Sequence, residues 1–173
     1  MKNILLLFSI IYLSSCANNN DAIKKSKHEV IDIVSNYVSN KFSEPKKEVS
    51  ADGTVIISEK DMKYEIDPNK IIIGYIDEDD DEDALISIAS QKGLYPLTGE
   101  LLILLGKDGK FTIDKAIESN MKILELSNRN IIAEISTMAQ DSPLYGCKLC
   151  IDTVCYQFRA GELIQMENKQ SED

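Results

Sequence analysis

The sequence contains one histidine, His28, and this scarcity limits the catalytic sites that the chain is able to form. Ser-His-Asp and Cys-His sites each need a histidine within hydrogen-bonding distance of the nucleophile. His28 lies at the start of a predicted helix, away from any predicted core site. A glycine-rich phosphate-binding loop is also missing, because Gly106 and Gly109 belong to a predicted hairpin turn. The sequence therefore predicts a protein that is not an enzyme.

A carboxylate pair of the kind that glycosidases use is not evident either. Four glutamates are scattered along predicted strands without a clear pairing: Glu100, Glu118, Glu125 and Glu134. The sequence therefore gives no support for a hydrolase.

Basic residues are scarce as well. The chain has 19 Lys and Arg against 29 Asp and Glu, which gives a formal net charge of −10 at pH 7. Binding to nucleic acid or to anionic lipid needs a basic patch. We therefore expect no nucleic-acid partner and no general affinity for anionic lipid.

The sequence has one long apolar run, from Ile4 to Leu13, and this run is too short to cross a bilayer as a helix. A spanning helix needs about 20 apolar residues. The run follows a basic start at Lys2 and precedes Ser14-Ser15-Cys16, which is the order of a secretory signal. We assign residues 1–15 to a signal peptide and expect the rest of the chain to be soluble.

The segment Leu13-Ser14-Ser15-Cys16 resembles the lipobox of bacterial lipoproteins. The resemblance implies transfer of diacylglycerol to the Cys16 sulfur, cleavage before Cys16 and acylation of the new amino terminus. Several acyl chains on one residue hold a protein stably on a membrane, whereas one chain does not. We therefore expect a lipid anchor at Cys16 and a location in the bacterial cell envelope, outside the cytoplasm, at the outer membrane.

The remaining chain divides into three parts. Residues 16–27 are polar and without periodicity, and we predict a flexible tether there; residues 28–167 form a single domain, and residues 168–173 form a frayed tail. The domain begins with an amphipathic helix from His28 to Phe42. Its apolar residues follow helical spacing: Val30, Ile33, Val34, Tyr37 and Val38.

From Thr54 onward the apolar period changes to two, which predicts about nine short strands. Three turns predict hairpins: Lys107 to Lys110, Ser127 to Arg129, and Ala160-Gly161. We predict loops at residues 43–52 and 93–99, whereas the pattern at 114–120 is ambiguous and permits a short helical turn. The fold class is α+β, with the N-terminal amphipathic helix packed on a mainly antiparallel β-meander.

The most unusual segment is the run from Asp77 to Asp83, where seven successive residues are all Asp or Glu. Apolar β-branched residues flank it on both sides, which predicts an acidic loop between two strands. Calcium prefers six to eight oxygen ligands, and alternate carboxylates in a tight loop supply them. We take Asp77, Asp79, Asp81 and Asp83 as candidate calcium ligands.

The segment from Gly74 to Ile86 resembles the strand-loop-strand motif of FG-GAP and VCBS-type repeats, and of small secreted bacterial proteins that carry one copy. That motif reads G-D-[LV]-[ND]-G-D-G-x-x-D-A. Asp77, Asp79, Asp83 and Ala84 match it. The resemblance continues more weakly over 101–111 and 146–163. It implies a location outside the cytoplasm and often calcium, and it implies no activity.

Three positions depart from that motif. Tyr75 stands where the motif has its first aspartate, which removes one ligand. Glu78 and Asp80 replace its two glycines, and a positive φ is costly for either residue. Two interpretations of the loop therefore stay open: a weak calcium site, or a solvated acidic turn that binds no metal.

Three cysteines remain after Cys16: Cys147, Cys150 and Cys155. In an oxidising compartment we expect a disulfide, and the spacing permits either Cys150 with Cys155 or Cys147 with Cys155. A thioredoxin-type site is disfavoured, because the C-x-x-C segment runs into a predicted strand rather than a helix. A zinc site is disfavoured because it lacks a nearby fourth ligand.

Two functional classes follow from these observations. The first is a non-catalytic envelope lipoprotein that binds a protein partner through its acidic surface, with calcium as the candidate ligand of the 77–83 loop. The alternative is an immunity-type or inhibitor lipoprotein that neutralises a toxin or an enzyme outside the cytoplasm. Both classes use the acidic surface, and the sequence does not choose between them.

Overall fold

Helix α1 spans Cys16–Ser39 and is the one α-helix in the part of the chain that the computed structural model describes, residues 16–136 and 150–166, with side chains from Ile23 onward. Eleven strands follow within these ranges: β1 Lys46–Val49, β2 Val55–Glu59, β3 Met62–Ile66, β4 Ile71–Gly74, β5 Asp83–Lys92, β6 Tyr95–Lys107, β7 Lys110–Glu118, β8 Lys122–Ser127, β9 Asn130–Ser136, β10 Ile151–Arg159 and β11 Glu162–Met166. A 3-10 helix, Pro68–Lys70, joins β3 to β4.

The strands form two sheets rather than one. The first has seven strands in the order β1-β2-β3-β5-β6-β7, with β4 paired to β5, and the second has the order β11-β10-β9-β8. All strand pairs in both sheets are antiparallel. The predicted α+β class and the mainly antiparallel pairing are therefore confirmed, whereas the single meander is wrong. Period-two patterns identify strands but do not say which sheet each strand joins.

Strand β5 is the centre of the first sheet. Its first half pairs with β4 and its second half pairs with β3, while β6 runs along its other side. Ala84 to Ile86 and Leu101 to Leu104 are all buried, so these two strands are covered on both faces. Continuous burial of this kind is expected where layers pack on both sides of a sheet.

Alternation along β5 and β6 divides the buried side chains between two clusters. The first cluster contains Ile86 and Leu102 together with three fully buried helix residues, Val30, Val34 and Val38. The second cluster contains residues from the opposite face of these strands and from the second sheet: Leu85, Leu101, Ile103, Ile131 and Phe158. The hydrophobic core of the described chain thus lies on both sides of the first sheet.

The three hairpin turns predicted from the sequence are confirmed. The flanking residues pair across two-residue turns at Asp108-Gly109, Asn128-Arg129 and Ala160-Gly161. Both residues of each turn have a positive φ. A two-residue turn with this backbone matches the right-handed twist of its strands.

The helix begins earlier than the sequence predicts. Residues 16–27, predicted as a flexible tether, are helical, so α1 starts at Cys16 instead of His28. Ala22, Ile23, Lys24 and Lys25 have no helix-breaking residue among them, and alanine and lysine are good helix formers. The absence of apolar periodicity in this segment therefore did not mean an absence of helix.

Three segments predicted as loops or turns contain strands. Strand β1 lies within 43–52, strand β6 begins at Tyr95 within 93–99, and β7 continues to Glu118 within 114–120. All four β1 residues are exposed, so no buried pattern marks that strand. In β7, half-buried and exposed residues alternate from Ile113 to Glu118, but Lys115 is half-buried and Ala116 is exposed, so this alternation is not visible as a hydrophobic pattern in the sequence.

Some predictions lie outside the described residues: the signal peptide at 1–15, the tail at 168–173 and Cys147. The last described strand ends at Met166, one residue before the predicted end of the domain. Among the described helices, none has the length and apolar character needed to cross a membrane.

Candidate functional site

The acidic segment is the connection between β4 and β5, as the sequence predicts. Gly74, the last residue of β4, pairs with Asp83, the first residue of β5, and residues 75–82 form the loop that joins them. The exposed carboxylates on this loop belong to Glu78, Asp79, Asp80 and Glu82. Strong like-charge repulsion keeps such a segment in solvent, while its two ends are held by the sheet.

Asp83 is fully buried and acts as an acceptor for three backbone N–H groups. Its Oδ2 accepts from Ile76 at 2.7 Å and from Asp77 at 3.4 Å, and its Oδ1 accepts from Gly106 on β6 at 2.9 Å. One carboxylate therefore fastens the start of the loop to the neighbouring strand. A buried charge of this kind is tolerated because hydrogen bonds replace part of its lost hydration.

The loop backbone crosses directly over Gly106. A Cβ atom built on Gly106 would lie 2.0 Å from the carbonyl oxygen of Glu82. No side chain fits in that space, so glycine is required for the loop to approach β6. The same close approach brings the Gly106 N–H within reach of Asp83.

Two further aspartates shape the loop through Asx turns. Asp77 Oδ1 accepts from the Asp79 N–H at 3.0 Å, and Asp79 Oδ1 accepts from the Asp81 N–H at 2.9 Å. Among the described residues, those with a positive φ all lie outside the loop. The loop thus turns without the two glycines of the motif, because aspartate side chains take over part of the backbone hydrogen bonding.

Three of the four predicted calcium ligands come together. Asp77, Asp79 and Asp83 each offer a carboxylate oxygen, and these oxygens lie within 4.8 Å of one another. Asp81 is not in the group; its Oδ2 instead accepts from the Asp108 N–H at 3.4 Å. Spacing at alternate positions placed Asp81 among the ligands, but the Asx turns curl the chain and direct its side chain towards the β6–β7 turn.

Arg129 contacts the loop from the second sheet, and the sequence did not identify it. Its guanidinium donates to the carbonyl oxygens of Glu78 at 3.3 Å and Asp79 at 3.2 Å. Arg129 lies in the two-residue turn between β8 and β9. It therefore ties the loop to the second sheet and places a positive charge beside the carboxylates.

Burial raises the pKa of Asp83 above its ordinary value of 3.8. The hydrogen bonds from Gly106 and Ile76 lower the pKa of this carboxyl, and the nearby charge of Asp77 raises it, so that the net shift is upward. The ionised form of Asp83 is therefore less favourable in the folded protein than in water. A cation beside the three carboxylates would favour the ionised form.

Two of the four scattered glutamates lie directly opposite each other. Glu100 on β6 pairs with Glu118 on β7. Glu100 accepts a hydrogen bond from the Tyr37 hydroxyl at 2.7 Å and forms an ion pair with Lys41. Burial lowers the pKa of Lys41, but its bonds to Glu100 and Tyr37 outweigh burial and the net pKa is raised. Because of these bonds, Glu100 joins the end of α1 to β6.

A cleft of about 640 Å³ is lined by residues of both sheets. Ile72, Leu97, Met121 and Ile123 contribute apolar surface to it. Its lining contains neither a histidine nor a carboxylate. His28 lies elsewhere, on α1, with its Nε2 atom 3.9 Å from Asp32 Oδ2.

Of the two disulfide pairings that the spacing permits, Cys150 with Cys155 does not form in the structure. Cys150 precedes β10 and Cys155 lies within it, and no disulfide joins them. Ile151 to Cys155 is extended strand, which separates its two ends by about 13 Å, and a disulfide needs Cα atoms within about 7 Å. The residues between these two cysteines are β-sheet. The alternative pairing involves Cys147, which lies outside the described residues.

The raised pKa of Asp83 predicts a specific pH dependence of stability. The folded protein retains the Asp83 proton at pH values where the unfolded chain has lost it, so the free energy of unfolding falls as pH rises from 3.8 through the raised pKa. Asp83→Asn has no group to titrate there. We expect the stability of the wild type relative to this variant to decrease across that window, as measured by urea unfolding at a series of pH values.

Asp80→Asn, the same substitution on an exposed loop residue, controls for the loss of one negative charge. A wild-type stability that increases relative to Asp83→Asn as pH rises above 3.8 would contradict the prediction.

Comparison with models of known protein families, with curated protein sequences and with solved structures finds no match to this chain. The function is therefore inferred from the loop geometry, the burial and the charge described above.

Proposed function

We propose that this chain is a non-catalytic, lipid-anchored protein of the bacterial cell envelope that binds calcium in the 77–83 loop and presents the outer carboxylates of that loop to a protein partner. The observation that carries the proposal is the convergence of Asp77, Asp79 and Asp83, whose carboxylate oxygens lie within 4.8 Å of one another. The FG-GAP-like resemblance of the loop supports the same ligand, with Asp81 left out of the set.

Calcium suits this group because it takes hard oxygen ligands in flexible geometry. Each carboxylate oxygen has two lone pairs, so Asp83 retains acceptor capacity beyond its backbone hydrogen bonds. The same holds for Asp77 and Asp79, each of which uses one oxygen in an Asx turn. Three protein ligands are few for calcium, so we expect weak binding, with a dissociation constant of about 10⁻⁴ to 10⁻³ M.

A calcium titration tests the loop without breaking its turns. Asp77→Asn with Asp79→Asn removes two charges but keeps the Oδ1 acceptor of each Asx turn. At about ten times the dissociation constant, calcium should stabilise the wild type by about 1.4 kcal/mol and raise its Tm by about 3–6 °C. We expect this shift, and the heat of binding in calorimetry, to be lost in the double variant.

Asp80→Asn is the matched control, since it removes a loop charge outside the ligand group. It should retain most of the calcium response. An unchanged Tm up to about 10 mM calcium, or an equal response in the double variant, would show that the loop is an acidic turn without a metal.

The partner surface follows from the exposed carboxylates of the loop. Glu78, Asp80 and Glu82 are exposed and lie outside the ligand group, so they remain available when calcium is bound. Their charge suits a basic partner surface and speeds its approach at low salt. A resident envelope protein and a basic toxin both fit this description, so the immunity-type function stays as the alternative.

Charge removal on the loop tests this surface. We expect cross-linking of an envelope partner in producing cells to fall in Glu78→Gln with Glu82→Gln, and to weaken as salt is raised, because the attraction is electrostatic. Asp61→Asn with Asp152→Asn removes the same charge from exposed positions elsewhere and is the control. Equal capture by both double variants would contradict a role for the loop, and the identity of the captured protein distinguishes a resident protein from a toxin.

The lipid anchor is proposed from the lipobox-like segment that ends at Cys16. We expect Cys16→Ser to release the protein from the membrane fraction or to leave its precursor uncleaved, because the acceptor sulfur is missing. Cell fractionation and incorporation of labelled fatty acid measure this. Cys155→Ser is the control and should stay anchored; normal processing and anchoring of Cys16→Ser would contradict the proposal.

We also propose that α1 is amphipathic and packs on the first sheet. Its support is the full burial of Val30, Val34 and Val38, which recur at helical spacing and share a buried cluster with sheet residues. The Tyr37 hydrogen bond to Glu100 supports the same arrangement.

A further inference from the structure

A groove of about 580 Å³ lies between α1 and the edge strand β1. Its walls combine apolar and basic side chains: Ile23, Ile31 and Val49, with Lys24, Lys27 and Lys47. We call this surface the basic groove. It differs in character from the acidic loop and takes no part in the calcium group.

Local geometry explains why these residues share one surface. Ile23, Lys27 and Ile31 recur every four residues and so form one stripe along α1. Alternation in β1 places Lys47 and Val49 on the same face of the strand. In the neighbouring strand β2 their register partners are Ile57 and Val55, respectively. The groove is therefore built from two regular elements.

Two apolar side chains of the groove are exposed to solvent. Ile23 is 42% exposed and Val49 is 64% exposed. Exposed apolar side chains rimmed by polar residues commonly mark a surface that binds a protein or a membrane. Here the rim is basic, which favours a binding partner that carries negative charge.

Lysines outnumber carboxylates in the lining of the groove. Asp32 is the one carboxylate in its lining, and it lies 3.9 Å from His28. Glu29 is directed elsewhere, since its Oε1 accepts from the Phe111 N–H at 3.3 Å. Glu48 lies on the opposite face of β1 from Lys47. Three lysines thus face one aspartate, in a chain whose net charge is −10.

We propose that the basic groove docks on an anionic lipid bilayer. The three lysines contact lipid phosphates, and the side chains of Ile23 and Val49 enter the boundary between headgroups and acyl chains. The lysines match the negative charge at the surface of an anionic bilayer, and the apolar side chains match the apolar layer directly beneath it. The proposal extends the envelope function but does not need the lipid at Cys16.

The residues on the other side of α1 are consistent with the basic groove facing the bilayer. Lys25 and Glu29, on another side of the helix, line a separate hollow together with Asp80, Asp81 and Glu82 of the acidic loop. With the basic groove on the bilayer, the helix separates the acidic loop from the anionic surface. The loop then faces away from the membrane, where calcium and a partner reach it.

Vesicle co-sedimentation tests the proposal on the unlipidated chain from residue 16 onward, with Cys16→Ser, which carries every described element. We expect binding to vesicles of equal parts phosphatidylglycerol and phosphatidylcholine, at least about tenfold weaker binding to phosphatidylcholine alone, and loss of binding at high salt. Lys24→Gln with Lys27→Gln and Lys47→Gln should weaken binding at least about tenfold. Ile23→Ser with Val49→Ser should weaken it as well.

Lys60→Gln with Lys92→Gln and Lys107→Gln is the matched control, because it removes three exposed lysines from other surfaces. It should bind as the wild type does, and urea unfolding checks that all variants are folded. Absence of binding by the wild type, equal binding to uncharged vesicles, or equal losses in the two triple variants would each overturn the proposal. None of these outcomes affects the calcium titration, so the two proposals fail separately.

Discussion

The acidic segment depends on a single buried carboxylate. Asp83 has no solvent exposure, and its two oxygens accept N–H groups from the start of the loop and from β6. Burying a charged group costs free energy, and the hydrogen bonds from the backbone N–H groups offset part of that cost. The strand order β4-β5-β6, the close approach of the loop to Gly106 and the entry of the chain into β5 are therefore coupled, because all three meet at this side chain.

The position of Asp83 also determines what the other loop carboxylates are able to do. With both ends of the loop fixed, the Asx turns of Asp77 and Asp79 direct their side chains to within 4.8 Å of Asp83. Repulsion among three such charges opposes that arrangement. Arg129 offsets part of the repulsion through the loop carbonyls. Its guanidinium bonds to the backbone rather than to the carboxylates, so Arg129 occupies none of the carboxylate oxygens of the loop.

The sequence predicted the parts of this structure that local chemistry determines. The turns at Asp108-Gly109 and Asn128-Arg129 follow from residues that accept a positive φ between two strand patterns. The contact of Arg129 with the loop was not predictable in this way, since it joins residues about fifty positions apart in the chain. The division into two sheets is long-range as well. Strand β1 was not predicted for a different reason. Its four residues are all exposed, so the sequence has no alternation of apolar and polar residues there.

The distribution of charge over the surface also depends on long-range contacts that the sequence does not predict. The net charge of −10 predicts no general affinity for anionic lipid. That prediction assumes that the charges are spread evenly over the protein surface. Folding separates them instead. Lys24, Lys27 and Lys47 line one groove although they are far apart in the sequence, while the carboxylates of residues 77–83 gather in one loop. Electrostatic attraction falls off over about 10 Å at moderate salt, so a membrane or a partner responds to the nearest cluster of charges and much less to the total. A strongly acidic chain is therefore able to present a basic surface.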